Sequence, residues 1–166
     1  FEPTPQDIKK IQNSDLFIYT GGENDVWVED LLSSMGDKKP ETLKLIDCVS
    51  TVNEEIVEGM EHAHEHEHED EHKHEDEHKH EDEHEHEIDE HVWTSPKNAI
   101  KIAEKIKTIL AFKDEKNALV YSNNTAAFTK KLIALDESFQ KVVSSAKRKT
   151  IVFGDRSPFR YFADEY

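Results

Sequence analysis

The sequence has a single cysteine, Cys48, and no run of apolar residues long enough to cross a membrane. One cysteine excludes an internal disulfide and a cysteine-based zinc finger. A membrane-spanning helix needs roughly 18 successive apolar residues, and no stretch of the chain approaches that length. The first residues, FEPTPQD, lack the basic start and the apolar run of a signal peptide. The protein is therefore either cytosolic or has lost its beginning.

Histidine is missing from the chain outside one window. All 11 histidines lie in residues 62–91, and residues 61–91 hold 16 acidic residues against two lysines. That window carries nearly all of the net charge of -16. Such segregation indicates one local function added to an ordinary globular sequence, and it argues against nucleic acid as a partner. Nucleophilic catalysis needs a serine or cysteine paired with a histidine. Since every histidine lies in or beside this window, the sequence predicts no enzyme.

Residues 61–90, which we call the histidine tract, combine imidazole and carboxylate groups in repeats such as EHKHED. Zinc prefers neutral imidazole nitrogen and accepts carboxylate oxygen, usually with four donors in a tetrahedron. In an extended chain, residues two apart lie on the same side, about 6.5 to 7 Å apart. Two histidines that are two positions apart can therefore bind one ion together. The predicted metal-binding residues of the tract are His62, His64, His66, His68, His72, His74, His78, His80, His84 and His86.

Nothing in the tract fixes a single arrangement of donors, so we expect many sites of moderate affinity with fast exchange. The acidic residues repel one another and apolar residues are few, which predicts a disordered metal-free segment. Because free imidazole has a pKa near 6.5, metal capture should fade below about pH 6. A solvated acidic linker with incidental histidines is the alternative. The ten histidines within residues 62–86 favour metal binding.

Before the tract, the sequence pattern predicts a helix, a strand, a second helix and a second strand. Thr4 and Pro5 begin a helix over 5–13, and LFIYT at 16–20 is typical of a buried strand. The second helix ends at Gly36. Its predicted buried face consists of Val26, Trp27, Leu31 and Leu32. TLKLID at 42–47 alternates like a strand. Strand, helix and strand with short links indicate a parallel βαβ unit and the α/β class.

Two helices are predicted after the tract. Ser95 and Pro96 begin the first, whose buried stripe consists of Ile102, Ile106, Ile109 and Leu110. The second covers residues 117–145 and would be roughly 43 Å long, enough to join two lobes. Its apolar seam consists of Tyr121, Thr125, Phe128, Leu132, Leu135, Phe139 and Val142. TIVFGD at 150–155 then predicts a strand, and PFRYFADEY begins a further helix. We expect these last segments to start a second α/β lobe.

His91 differs from the histidines of the tract. It stands in DEHVWTSP, where the repeat has ended and a capped helix follows. A histidine held by structured neighbours can belong to one specific metal site. It can equally be a capping or packing residue, and its spacing alone leaves both interpretations open.

The motifs of the chain together resemble those of the ZnuA-type metal-receptor family of ABC importers. They are FEPTPQD, the glycine pair with a tryptophan at Gly21 to Trp27, and HVWTSP directly after a histidine-rich insertion. The resemblance covers essentially the whole chain. It implies two Rossmann-like α/β lobes joined by one long rigid helix, with metal held in the cleft between the lobes. The division would be 1–115 for the first lobe, 116–147 for the connecting helix and 148–166 for the start of the second lobe.

The resemblance also implies a set of metal ligands for the cleft. His91 matches the histidine of the family's H-x-W-x-S/D-P motif, while a first ligand would precede Phe1 and a carboxylate would follow Tyr166. Relatives commonly have a histidine after the strand of the second lobe, but the corresponding turn here reads FGDRSPFRYF. Asp155 stands at that position and would replace the histidine. Alternatively, Asp155 pairs with Arg156 or caps the following helix.

The function implied by the resemblance is a zinc receptor that captures Zn²⁺ and delivers it to the membrane permease of an ABC importer. Such a receptor would be an extracytoplasmic monomer, in the periplasm or at the cell surface, and lipid-anchored there. Two alternatives remain. The tract itself could store or buffer metal, or the chain could be a manganese or iron receptor, since Asp155 in place of histidine favours harder ions.

Overall fold

The computed structural model describes residues 3–54, 88–152 and 158–166. The helices are α1 (Pro5–Gln12), α2 (Val26–Ser34), α3 (Pro96–Lys113), α4 (Ala118–Ser145) and α5 (Arg160–Glu165), and the strands are β1 (Leu16–Tyr19) and β2 (Glu41–Lys44). Short 3₁₀ turns lie at Glu23–Asp25, Gly36–Lys38, Ile46–Cys48, Val92–Thr94 and Glu115–Asn117. This arrangement confirms the α/β class. No helix within these ranges combines the length and the apolar character that a membrane span requires.

The predicted βαβ unit is present. β1 and β2 are parallel neighbours, with Leu16 opposite Glu41 and Tyr19 opposite Lys44. The second strand is shorter than predicted, because the chain turns into the 3₁₀ turn Ile46–Cys48. α1 begins as expected, with Thr4 accepting a hydrogen bond from the main chain of Asp7 in a capping box. The two strands and α2 therefore support the loops that follow them.

The first apolar cluster lies between α2, α1 and the sheet. Its buried residues are Val28, Leu32 and Met35, with Ile8, Ile11, Phe17, Tyr19, Trp27 and Leu31 packed against them. The predicted face of α2 was wrong at Val26, which is 55% exposed. The spacing of four and three from Val28 through Leu32 to Met35 turns that face inward and leaves Val26 outside.

The second apolar cluster joins the segment after β2 to α3 and α5. Ile46, Val92, Ile102 and Tyr161 are buried in it, and Ile106 packs against them. Ile109 and Leu110 of the predicted stripe are half-buried. The predicted cap is confirmed, because the Ser95 side chain accepts a hydrogen bond from the Asn98 main chain at 3.3 Å. This cluster fixes the start of α3, and with it the segment that carries His91.

α4 contains 28 residues, which gives a length of about 42 Å. It packs along α3, and none of its residues is buried. The predicted seam holds at Tyr121, Thr125, Leu132 and Phe139, which are half-buried. It was wrong at Phe128, Leu135 and Val142, which are 49%, 42% and 65% exposed. The half-buried positions run instead through the polar residues Thr129 and Asp136, so a purely apolar pattern misplaced the contact face.

The predicted strand at 150–155 is not found in its described part. Residues 150–152 form no regular structure, and Ile151 and Val152 are exposed. A strand needs a ladder partner, and in the described ranges the ladder consists of β1 and β2 alone. Residues 153–155 lie outside the described residues. The helix predicted after them is present as α5.

Candidate metal centre

The described residues on either side of the range 55–87 meet at one point of the fold. Asn53 forms an isolated antiparallel bridge with Ile88, and the Asp89 main chain donates a hydrogen bond of 2.9 Å to the carbonyl of Val52. His91 follows this bridge by three residues and immediately precedes the 3₁₀ turn Val92–Thr94. Val52 and Asn53 are thus paired with the two residues, Ile88 and Asp89, that lie just before His91 in the chain.

Asp89 holds the imidazole of His91. Its Oδ1 lies 2.8 Å from His91 Nδ1 and also accepts the His91 main-chain N–H at 2.8 Å. The Asp89 side chain is almost fully buried, whereas that of His91 is 39% exposed. An ionised carboxylate only accepts hydrogen bonds, so this contact requires a hydrogen on Nδ1. In a neutral imidazole with this tautomer the lone pair is on Nε2, which is the arrangement of a metal-ligating histidine with a carboxylate behind it.

Tyr161 fixes the main chain around Asp89. Its hydroxyl donates a hydrogen bond of 2.7 Å to the Asp89 carbonyl and accepts one from the Val52 N–H at 3.4 Å. Burial raises the pKa of the Tyr161 hydroxyl, so it stays protonated and can donate at neutral pH. α5 is thereby bonded both to Val52 and to Asp89.

Glu90 connects the same segment to the turn that follows β1. Its carboxylate accepts hydrogen bonds from the Asn24 main-chain N–H at 2.8 Å and from Asn24 Nδ2 at 2.9 Å. Gly22 makes room for this contact, because a Cβ there would lie 2.4 Å from Glu90 Oε1. The Glu90 carboxylate is therefore bonded to the turn after β1.

The residues that follow His91 in the chain also restrict its position. Val92 is fully buried, and the Thr94 hydroxyl donates to the His91 carbonyl at 2.7 Å. The Trp93 ring lies with its centre 5.6 Å from that of the imidazole, tilted by 56°, and is 49% exposed. The imidazole thus has a buried carboxylate and an aromatic ring as neighbours, while its side chain stays 39% exposed.

His91 and Asp89 are not part of a larger cluster of metal donors in the part of the chain that the structure describes. No group of three or more His, Cys, Asp or Glu side chains there could hold a metal ion. The ten predicted tract histidines, His62 to His86, and Asp155 lie outside the described residues. Among the described residues, the candidate metal centre therefore consists of His91 and its supporting Asp89.

Sequence reasoning did not identify Asp89, Glu90 or Tyr161 as supporting residues. The order DEH contains a signal for Asp89, because a carboxylate two residues before a histidine can reach its Nδ1. Tyr161 has no local signal, since it lies 72 residues along the chain from Asp89. Only the packing of α5 into the second cluster brings the two together.

Comparison with known proteins identifies the family. The family model described as ZnuA, zinc-uptake complex component A, periplasmic, matches residues 1–166. The chain belongs to the ZnuA family. It is 36% identical over 166 residues to the zinc-binding protein AdcA of Streptococcus pyogenes serotype M3, covering all of this chain and 31% of that protein. It is 32% identical over 166 residues to the high-affinity zinc uptake system protein ZnuA of Bacillus subtilis, covering 47% of it.

Solved structures support the same assignment to the ZnuA family. The crystal structure of Zn(II)-bound AdcA from Streptococcus pneumoniae has a TM-score of 0.72 at 28% identity, with all of this chain and 30% of that chain covered. The metal-dependent lipoprotein YcdH from Bacillus subtilis has a TM-score of 0.74 at 27% identity, with 100% and 50% covered. The chain therefore spans half or less of the relatives named here.

Proposed function

We propose that this chain is part of an extracytoplasmic zinc receptor of an ABC importer, in which His91 binds Zn²⁺ through Nε2. The observation that carries the proposal is the buried Asp89 carboxylate 2.8 Å from His91 Nδ1, which orients the ring and leaves its other nitrogen outside this contact. Membership of the ZnuA family and the zinc-binding names of its relatives support zinc as the cargo. The role is that of a receptor rather than an enzyme.

The family and the helices of this chain support a proposal for the domain organisation of the receptor. Residues 1–115 belong to a first lobe, 116–147 to a connecting helix and 148–166 to the start of a second lobe, with the metal between the lobes. α4 supports this division, since its 28 residues give a rigid element of about 42 Å. The receptor acts as a monomer, is lipid-anchored in the periplasm or at the cell surface, and hands its ion to a membrane permease.

Asp155 is a further ligand in this proposal. It lies six residues before Tyr161, whose hydroxyl is bonded to the Asp89 carbonyl. Asp155 stands at the sequence position where relatives commonly have a histidine after the strand of the second lobe. A carboxylate oxygen is an acceptable partner for imidazole nitrogen on zinc.

The histidine tract gathers zinc for the His91 site. Its ten histidines, His62 to His86, supply weak sites, and the tract immediately precedes His91 in the sequence. An ion leaving the tract is therefore released close to the tighter site.

Calorimetric titration of the intact protein with zinc tests the proposal. We expect one tight site and several weaker ones. Deleting residues 61–87 should remove the weaker sites and keep the tight one, whereas His91→Ala should remove the tight site. His78→Ala, which changes one histidine of the tract, is the matched control and should leave the tight site intact. Tight binding that survives His91→Ala would exclude His91 from the mechanism.

Metal buffering by the tract is a second candidate function, favoured by the density of its histidines. The two candidates differ in the protein lacking residues 61–87, which would lose all zinc affinity if the tract alone were functional. Competition between zinc and manganese on the same deletion variant tests the third candidate, a manganese or iron receptor. Preferential retention of manganese would support it.

A further inference from the structure

We propose that Glu90 and Asn24 form a positioning clamp that holds the His91 ligand in place and slows the release of its metal. The inference rests on the proposed function, because it assumes that His91 binds zinc. It assigns a role to two residues that make no contact with the imidazole. We call the pair the Glu90–Asn24 clamp.

The clamp has the geometry of a two-point attachment. One oxygen of Glu90 accepts the Asn24 main-chain N–H at 2.8 Å, and the other accepts Asn24 Nδ2 at 2.9 Å. A charged acceptor that uses both oxygens fixes orientation as well as distance. The two residues are 66 positions apart, so the clamp joins separate parts of the fold.

The clamp supplies a connection that the other contacts of this segment do not. Asp89 is bonded to Val52 and to Tyr161, which lie after β2 and in α5. Asn24 instead belongs to the turn after β1. The Glu90 side chain thus ties the main chain directly before His91 to a second position on the sheet edge.

The turn that receives Glu90 is shaped for it. Gly22 has φ of 90°, and a Cβ at this position would come within 2.4 Å of Glu90 Oε1. A side chain would therefore be both strained by the backbone and displaced by the carboxylate. Gly21 donates its N–H to Asp25 Oδ2 at 2.9 Å, which closes the other side of the turn.

Loss of the clamp should leave the fold intact and loosen the ligand. Asn24 is exposed and Glu90 is half-buried, so the pair contributes little to the core. A ligand that can shift needs to be reordered each time metal binds. Removing partners behind a metal ligand typically lowers affinity 10- to 100-fold, and the clamp acts through the backbone, so we expect about tenfold.

The test measures zinc release from the intact protein loaded with one equivalent of zinc and mixed with excess chelator. Tract sites empty fast, so the slow phase reports the tight site, and His91→Ala identifies it by abolishing it. Glu90→Ala and Asn24→Ala should each accelerate the slow phase about tenfold. Glu137→Ala, which removes an exposed glutamate of α4, is the charge-matched control and should release zinc like the unmodified protein.

A double variant in which the amide and the carboxylate exchange positions tests whether the slow zinc release can be restored. Asn24→Asp places two carboxylates together and should also accelerate release. Combining it with Glu90→Gln lets the introduced amide donate to the introduced carboxylate and still accept the main-chain N–H of residue 24. The double variant should return the rate to within about threefold of the unmodified protein, a recovery of about 0.7 kcal/mol out of the 1.4 kcal/mol that a tenfold change represents. The melting temperature of the metal-free protein should stay constant throughout.

The outcomes separate the clamp from the proposed function. If His91→Ala leaves the slow phase unchanged, the proposed function fails. If His91→Ala abolishes that phase while Glu90→Ala and Asn24→Ala match the Glu137→Ala control, the clamp alone is overturned. The clamp is also overturned if faster zinc release accompanies a lowered melting temperature and the double variant does not restore the release rate. The pair would then only stabilise the fold.

Discussion

The hydroxyl of Tyr161 donates a hydrogen bond of 2.7 Å to the main-chain carbonyl of Asp89. The bond joins α5, near the end of the described chain, to the residue whose side chain orients His91. Tyr161 is 4% exposed and lies in the second apolar cluster. Through this contact, the packing of α5 is connected with the position of the candidate metal ligand.

Tyr161→Phe should destabilise the fold and weaken zinc binding together. The substitution keeps the ring in the cluster but leaves the Asp89 carbonyl without its donor, which costs about 1 to 2 kcal/mol. Urea unfolding of the metal-free protein measures that loss. Tyr121→Phe is the matched control, because Tyr121 is only half-buried and its hydroxyl bonds to the half-buried Asp114, and it should have a smaller effect. Equal unfolding midpoints for the two variants would contradict the structural role of the Tyr161 bond.

Asp89→Asn should weaken the tight zinc site about 10- to 100-fold, the range seen when a partner behind a metal-bound histidine is changed. The amide has the size of the carboxylate, but it no longer presents only acceptor atoms to His91 Nδ1. Calorimetric titration of the intact protein measures the change. Asp37→Asn, in the exposed 3₁₀ turn Gly36–Lys38, removes the same charge as a control. Equal zinc affinity in both variants would show that Asp89 does not orient the ligand.

Sequence patterns predicted the positions of the helices and strands better than the contacts between them. α1, β1 and α4 begin and end close to their predicted limits, and α3 begins where predicted, because caps, glycines and periodicity are local signals. The rotation of α2 and the seam of α4 were partly wrong. Which face of a helix is buried depends on what packs against it, as the hydrogen bond between Tyr166 and Asp136 on α4 shows.

The candidate site was predictable only at His91 itself. The histidine was identified from its place between the tract and a capped helix and from a family resemblance. Glu90 and Tyr161 act through partners 66 and 72 residues away, so no local pattern could reveal them. Asp155 and the tract histidines stay predictions.

Stability should fall at alkaline pH through Tyr166. Burial, followed by a 2.6 Å hydrogen bond to Asp136, raises the pKa of its hydroxyl. The unfolded chain loses this proton near pH 10, whereas the folded chain keeps it to higher pH. The contribution to stability is therefore complete below pH 10 and decreases as the pH rises above it. Urea midpoints between pH 8 and 11 measure the slope.

Tyr166→Phe should flatten that alkaline slope, because the variant has no hydroxyl to titrate at this position. Tyr121→Phe serves for comparison, since it removes a tyrosine whose pKa is raised mainly by its hydrogen bond to Asp114 on a more exposed surface. A slope unchanged by Tyr166→Phe would show that other groups cause the alkaline loss.

Gly22→Ala should be more destabilising than Gly36→Ala. Both glycines have positive φ, 90° and 52°, but a Cβ at position 22 would lie 2.4 Å from Glu90 Oε1, while position 36 has nothing within 4 Å. Gly36→Ala therefore incurs only backbone strain, about 1 kcal/mol, and Gly22→Ala incurs that strain and displaces Glu90, for about 2 to 3 kcal/mol in total. Urea unfolding compares the two. Combining Gly22→Ala with Glu90→Ala should recover part of the loss, because the clash disappears while the strain stays. No recovery in the double variant would mean that Glu90 does not occupy the space above Gly22.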